Sequence, residues 1–584
     1  SAITSTVTGI GNVATLNPIA SSNRKGGLSN GNLKASGNGK DNFSTMNIPL
    51  TGKWYFEATL TTAGATYDAV GVAEAKADQL SEYGSKVVVL YGSNGEKFLG
   101  SSWASYNASY TSGDVIGVYV NAGQVTFYKN GSSQGTCGSA FTTQCFATTQ
   151  NTNAATVWDV NFGQKPFKHS LPDADAKALT TQNLAEPTVT DPSAYVKMDA
   201  YTGNGTNIAG GGNPRVIGFT PDFVLMKQRS HAQDWRLFDT VREAGYFLEP
   251  STDIAHAAPG EMLESFVTTS GSEGYLIGNN VSLNTNTYTY ISLCIKAGGA
   301  PTADNTSGAG GAPGQTPTSG SRMFGGSAIT TAYAAADIYP RKMTTADHGG
   351  FSIVEYVGNG TDNQDVPHGL STSLPDGGRP GFIIVKRTDS SANWVIGHDG
   401  LDVDGDGLPW TDFLNWDVHA QAYDGDTIWS DEPPSPTVFT LGSGGGANAD
   451  TGVHIAYLFQ RTPGLIGFGT FTGNNSTDGP NIIIDDGGSG FKPAWFMFKR
   501  TNGNGDWYVV DNGRATYNTT NAVMRIQEDD EENWMGTPAN FKLDFVANGV
   551  KIRSTNGSDW NGSGVPFLYV AFAESPFGLN NRAK

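Results

Sequence analysis

Charge, cysteine and long apolar runs are all scarce in this chain. Of 584 residues only 16% are charged, three are cysteine, and hydrophobic residues make up 38%. So little charge excludes a disordered chain swollen by its own repulsion. The charge that exists is mostly negative, a net −19. Nothing basic is clustered to displace counterions from a phosphate backbone, which argues against a nucleic-acid partner. Cys137, Cys145 and Cys294 are too few for a disulfide framework and fit folding where thiols stay reduced, such as a bacterial cytoplasm. No apolar run approaches the length of a membrane span, so no membrane insertion is expected. The stretch SAITSTVTGI has neither the basic head nor the apolar core of a secretory signal. The eight histidines are scattered singly, which leaves zinc unsupported.

What the chain has in excess is glycine, 76 residues, and a repeated sentence. At 201–239 it reads YTGNGT, PDFVLMKQRS, DWRLFD; at 356–397, YVGNGT, PGFIIVKRTD, NWVIG; at 471–510, FTGNNS, PAWFMFKRTN, DWYVV. Lys227 to Trp235, Lys386 to Trp394 and Lys499 to Trp507 are each eight residues apart. A second block follows in each copy: TYTYISLCIK at 287–296, GVHIAYLFQR at 452–461, PFLYVAFAES at 566–575. Equal internal spacing in three copies implies three homologous domains of about a hundred residues. The runs Phe223–Met226, Phe382–Val385 and Trp495–Phe498 are too short for helices and read as strands buried on both faces. The polar turn between each Lys and Trp makes the pair a β-hairpin, with the tryptophan at the start of the return strand read as a core anchor in preference to a ligand platform.

Residues 1–168 differ. GKWYFEATL at 52–60 alternates, with Trp54, Phe56, Ala58 and Leu60 on one face and Tyr55, Glu57 and Thr59 on the other, a half-buried strand. DVIGVYVN (114–121) and QVTFYKNG (124–131) form a hairpin pair that ends in an Asn130-Gly131 turn. The order GKWYFEATL, AVGVAEA, GDVIGVYVNAGQVTFYKNG, VNFGQKPF resembles a SPRY domain, a two-sheet β-sandwich. The resemblance covers nearly all of 45–168. It implies binding through loops at one rim and no catalytic residues. Those loops include 78–86 and 101–112, the second offering Trp103, Tyr106 and Tyr110 among serines and one asparagine, a composition suited to adaptable recognition.

The expected organisation is therefore all-β and multidomain: a SPRY-like β-sandwich (1–168), a linker (169–193), β-sandwich repeat 1 (194–299), a Gly/Ala/Pro/Thr-rich linker or arm (300–348), repeat 2 (349–464) and repeat 3 (465–584). In the arm, Met323, Phe324, Tyr333 and Tyr339 are placed to anchor against a neighbour.

The repeats are similar to one found in bacteriophage tail-fibre and virion proteins, many of marine type. The likeness is best in the second copy, which alone keeps Pro367-His368-Gly369-Leu370 and the closing His398-x-Gly-Leu. It implies a virion protein made in the host bacterial cytoplasm, with other virion proteins and a host-surface receptor, glycan included, as partners, and a homotrimer as its assembly.

For chemistry, DVDGDG sets Asp402, Asp404 and Asp406 at alternate positions before Gly407, the spacing that converges carboxylates on calcium. The acid expected at the twelfth loop position is missing, since Phe413 stands there with Asp412 one residue off. A solvated acidic turn would read the same. Glu528–Glu532 reads as a solvated acidic loop. The string GSSQG at 131–135 lies in a hairpin exit and not on a strand-to-helix elbow. No other cofactor and no catalytic residue is expected. The reading is a non-enzymatic tail-fibre or adhesin-like protein, with a structural decoration or connector protein and a tailspike-type glycan depolymerase as alternatives.

Overall fold

The structure is a computed structural model. It describes all residues except 1–11, 21–25, 38, 65–67, 75–87, 100–101, 139–144, 152–153, 259, 261, 268–270, 533–540, 556–558 and 578–584. The architecture is all-β, and the two α-helices among the described residues, Val281–Asn284 and Gly445–Asn448, are single turns.

The N-terminal sandwich has a seven-stranded and a six-stranded sheet. Lys53–Thr62 lies inside the larger one, between Val157–Asn161 and Val115–Asn121. Trp54, Phe56, Ala58 and Leu60 point into the core between the sheets, as their alternation requires. The opposite face is also buried, which corrects the half-buried expectation. The chain leaving the sandwich folds back over it: Phe167 meets the Tyr55 ring edge-on at 5.0 Å, and Glu57 accepts the amides of Lys168 and His169 at 2.8 and 3.0 Å. Val115–Asn121 and Gln124–Lys129 pair as the expected hairpin, and Asn130 and Gly131, both at positive φ, turn the chain into Ser132–Cys137.

The 169–193 segment does not swing free. Leu179 and Leu184 sit in the sandwich core, while Val189 enters the core of the repeats and its amide donates to Pro463.

Each repeat builds its main sheet in one order. In the first it is Val196–Thr202, Thr289–Ile295, Phe223–Gln228, Arg236–Asp239; in the second, Phe351–Val357, Val453–Phe459, Phe382–Arg387, Val395–His398; in the third, Ile466–Thr472, Pro566–Pro576, Phe491–Arg500, Tyr508–Asp511. The register is common too: Lys227, Lys386 and Lys499 stand opposite Ile291, Ile455 and Leu568. A smaller sheet of two or three strands closes each sandwich. The 300–348 segment adds Arg322–Phe324, Ser327–Ala328 and Lys342–Thr345 to the edge of the second repeat's sheet, with Tyr333 buried in that repeat's own core.

The strands bearing the lysines are buried on both faces for a reason the sequence does not state. Val224 and Met226, Ile383 and Val385, Phe496 and Phe498 fill the cores of their own sandwiches. The alternate residues, Phe223 and Leu225, Phe382 and Ile384, Trp495 and Met497, all enter one further core that the three repeats share. The contacts around it are head-to-tail. Trp394 donates to Glu249 of repeat 1 at 3.0 Å, Trp507 to Asn415 of repeat 2 at 2.8 Å, and Trp235 to Arg525 of repeat 3 at 2.7 Å. Second leads to first, third to second, first to third. Heterologous contacts that close in this way make a ring, here a pseudo-threefold one inside a single chain.

Candidate functional site

Local geometry in the ring begins with the turn after each first strand. In GNGT, GNGT and GNNS the asparagine folds back on its own backbone, so that Thr206, Thr361 and Ser476 amides donate to Asn204, Asn359 and Asn474 side chains at 2.8, 3.0 and 3.1 Å. A buried second asparagine clasps each turn: Asn284, Asn448 and Asn561 accept the amides of Asn204, Asn359 and Asn474, each at 2.9 Å. The preceding Gly358 has to be glycine, because a Cβ would lie 2.5 Å from the Ala449 carbonyl.

The three lysines are strongly perturbed bases. Burial lowers Lys227 and Lys386 to about 8 and Lys499 to about 7. Such values suit a catalytic amine, but the surroundings do not. Lys386 Nζ donates to Ala392 at 2.6 Å and to Asp253 of repeat 1 at 2.9 Å; Lys227 Nζ donates to Gln233 at 2.6 Å and to Asp529 of repeat 3 at 3.1 Å; Lys499 Nζ donates to Gly505. The amides of Gln233, Ala392 and Gly505 in turn donate to Asp529, Asp253 and His419 across the same interfaces. With their amines spent on main-chain carbonyls, Lys227 and Lys386 bolt their hairpin turns to a neighbouring repeat, while Lys499 ties its own turn, whose Gly505 amide makes the contact with repeat 2. Trp235, Trp394 and Trp507, 2%, 0% and 0% exposed, are core anchors and not ligand platforms.

The loop over 102–112 has exposed serines and asparagine on a braced frame. Asn107 donates to the Gln134 carbonyl at 2.8 Å, Lys129 to Ser109 at 2.7 Å, and the Tyr106 and Tyr110 amides to Gly95 and Ser93. Trp103 and Tyr106 are half-buried, the first edge-on to Phe98 at 5.3 Å and the second to Tyr91 at 5.3 Å. Tyr110 is a correction. It is 4% exposed, and its single hydroxyl proton is shared between the Tyr91 and Asp68 carbonyls at 2.6 and 2.9 Å, so it belongs to the core beneath the loop. The partner loop 78–86 lies outside the described residues.

Asp402, Asp404 and Asp406 are brought together, with an oxygen of each within 4.8 Å of the others, all on an exposed loop of repeat 2. A second such group, His419, Asp506 and Glu528, joins repeats 2 and 3 and escaped the sequence because its members are far apart in it. Asp506 is already held by Arg525 at 3.0 Å and Gln527 at 2.5 Å.

A cleft of about 840 Å³ lies where residues 47–51 of the sandwich and 185–187 meet repeats 2 and 3. Its floor is Arg461, which contacts Asp399 at 2.6, Asp485 at 3.1 and Asp376 at 3.2 Å. These three attached charges hold the guanidinium far above its ordinary range against the cost of burial. Beside it, burial raises Asp486 to about 6, although its carboxylate accepts amides from Gly464, Gly488 and Gly490.

Residues 53–165 match the SPRY domain family. The crystal structure of a human SPRY domain is 17% identical, covering 24% of this chain and 96% of that one at a TM-score of 0.20. The SPRY domain of human HERC1 is 14% identical, covering 26% and 99% at a TM-score of 0.22. Among curated proteins none matches the chain. Residues 191–320 and 326–576, well over half of the chain, match the family described as Domain of unknown function (DUF7483). The three-repeat ring coincides with that match, so the chain belongs to the DUF7483 family and carries a SPRY domain ahead of the family's region.

Proposed function

We propose that this is a non-enzymatic bacteriophage virion protein of the tail-fibre or adhesin kind, in which the sandwich presents its 102–112 loop to a host-surface receptor and the ring serves as its rigid base. The observation that carries the reading is the bracing of that loop by Asn107, Lys129 and the amides of Tyr106 and Tyr110. A loop already fixed in shape loses little conformational freedom on binding, and the half-exposed Trp103 and Tyr106 rings supply contact area among adaptable polar groups.

A connector or decoration role is favoured by a different observation. The sandwich is docked on repeat 3, with Asn47 donating to Gly488 at 3.1 Å and Asn548 to Thr45 at 3.3 Å, which suits a compact joint better than an extended fibre. Among the described residues no comparable observation favours the depolymerase. It needs two carboxyls facing each other across a cleft, whereas Asp376, Asp399 and Asp485 all converge on Arg461.

Locating the chain in a reconstruction of its virion tests the proposal. A distal tail position supports the adhesin, a capsid or neck position the connector, and absence from purified particles overturns both. Release of new reducing ends from host polysaccharide would overturn the non-enzymatic reading.

A further inference from the structure

The cleft where the sandwich meets the ring is lopsided in charge. Glu186, Asp376, Asp399, Asp485 and Asp486 line it, and among the described residues Arg461 is the only base that does so. Three of these carboxyls already converge on that guanidinium, Asp399 at 2.6, Asp485 at 3.1 and Asp376 at 3.2 Å. One positive charge cannot balance three, so the cluster keeps a negative excess, to which the exposed Glu186 adds. The Asp485 and Asp399 side chains remain 42% and 27% exposed, within reach of a ligand in the cleft.

The independent observation is Asn47, on the wall that the sandwich supplies. It is 3% exposed, and its Nδ2 donates to the Gly488 carbonyl at 3.1 Å, both residues lining the cleft. Its Oδ1 is buried and, among the described residues, meets no donor. A buried acceptor left unmet is costly until a donor completes it. The walls are also held in place. The Val189 amide donates to Pro463 at 3.0 Å and the Phe577 amide to Gly490 at 3.1 Å, while Pro49, Pro187, Pro375 and Pro463 add fixed backbone. At about 840 Å³ the space has the size of a ligand site.

We propose that this cleft binds a basic side chain, the guanidinium of arginine or the ammonium of lysine, carried by an extended segment of a partner protein. Asp485 and Asp399 are its counter-charges, and the Asn47 amide oxygen is a further acceptor. Every group left unsatisfied here is an acceptor or a negative charge, so the ligand has to bring donors and positive charge together. A phosphate or carboxylate would meet like charge, and a neutral sugar would leave the excess unbalanced. Half-buried Leu50 and Pro187 give the apolar stem of such a side chain a surface to lie on. The site goes beyond the adhesin reading and stands whether or not that reading holds.

The test titrates the full chain in a calorimeter at physiological ionic strength, where loose attraction to an acidic surface is screened. The probes are the capped peptides Gly-Ser-Arg-Ser-Gly, Gly-Ser-Lys-Ser-Gly and Gly-Ser-Glu-Ser-Gly, and spermidine. At least one basic peptide should bind a single site, and the acidic peptide should not bind. Asp485→Asn should weaken that binding about tenfold. Glu186→Gln, on an exposed side chain that the fold does not need, should weaken it about two- to fivefold. Asp404→Asn, an exposed acid of repeat 2 outside the cleft, should change nothing. Glu186→Gln decides the matter if melting curves show Asp485→Asn to be misfolded. Absence of binding by both basic peptides, or binding that the cleft variants weaken no more than Asp404→Asn does, overturns the site. Spermidine binding more tightly than either basic peptide overturns the assignment to a partner's side chain.

Discussion

Trp394 of the second repeat donates its indole N–H to the Glu249 carbonyl of the first at 3.0 Å, across 145 positions of sequence. The Thr252 carbonyl takes a share of the same proton at 3.1 Å. Trp394→Phe keeps most of the ring's packing and removes only the donor, leaving two acceptors unmet inside an interface. It should cost about 1–3 kcal/mol in urea unfolding. Native-state hydrogen exchange should quicken around 249–253 of repeat 1 and leave 525–529 of repeat 3 protected. Faster exchange confined to repeat 2 would contradict the direction of the ring.

Asn448 is tied at four points. It accepts the Asn359 amide and donates to the carbonyls of Thr361 at 2.7 and Gly442 at 3.0 Å and to the Asn359 side chain at 3.5 Å. Asn448→Ala strands those backbone groups in a buried turn and should destabilise the second repeat by about 3 kcal/mol. Asn448→Asp keeps the acceptor but sets a buried carboxylate against the Thr361 and Gly442 carbonyls, so it should cost more than the alanine. A change within a few tenths of a kcal/mol for the alanine variant would show the clasp to be incidental.

How much of this was legible can be judged on the same residues. The eight-residue Lys-to-Trp spacing gives the hairpin and its strand identity correctly, because both are local. It does not reveal that Lys386 reaches the Asp253 carbonyl or Lys227 that of Asp529, because those acceptors lie 133 and 302 positions away. The asparagine clasp was available in principle: Asn284, Asn448 and Asn561 each stand six residues before Tyr290, His454 and Phe567. The alternation of 52–60 could not show that Phe167 and Lys168 return to cover Tyr55 and Glu57. Loop composition could not show which of three aromatic rings turns inward, and Tyr110 does.

His368, His398 and His454 are buried, and each ring both accepts an amide and lies within reach of a carbonyl. The pairs are Leu370 and Ser435, Gly400 and Tyr569, Ala449 and Gly452. Desolvation lowers them to about 4, 3 and 4. The unfolded chain takes up these protons below about pH 6.5 and the folded chain does not, so their contribution to stability falls as pH drops from 6.5 toward 4. At pH 5 the loss is about 2 kcal/mol per ring. Asp412, Asp417 and Asp486, raised to about 6 by burial, act in the opposite sense in that window. The readout is therefore the difference between wild type and His454→Gln, whose penalty should shrink as pH falls from 7.5 to 5. A penalty independent of pH would mean that His454 takes up its proton as readily in the folded chain as in the unfolded one.

Closing the ring also bears on assembly. The resemblance to virion repeats implies a homotrimer, with Met323, Phe324, Tyr333 and Tyr339 of the 300–348 segment placed against a neighbour. The repeat faces are now used inside one chain, and Tyr333 packs on its own repeat. Light scattering at micromolar concentration should give the mass of one chain, 61.5 kDa. A mass three times larger would require an interface on the sandwich or the outer ring.

Scanning calorimetry of the full chain tests the ring most directly. A core shared by Phe223, Phe382 and Trp495 makes each repeat's stability depend on the other two. The three repeats should therefore unfold in one transition whose calorimetric and van't Hoff enthalpies agree, and Trp394→Phe should move that whole transition to lower temperature. Separate transitions for the three repeats, with only one displaced by the substitution, would contradict it.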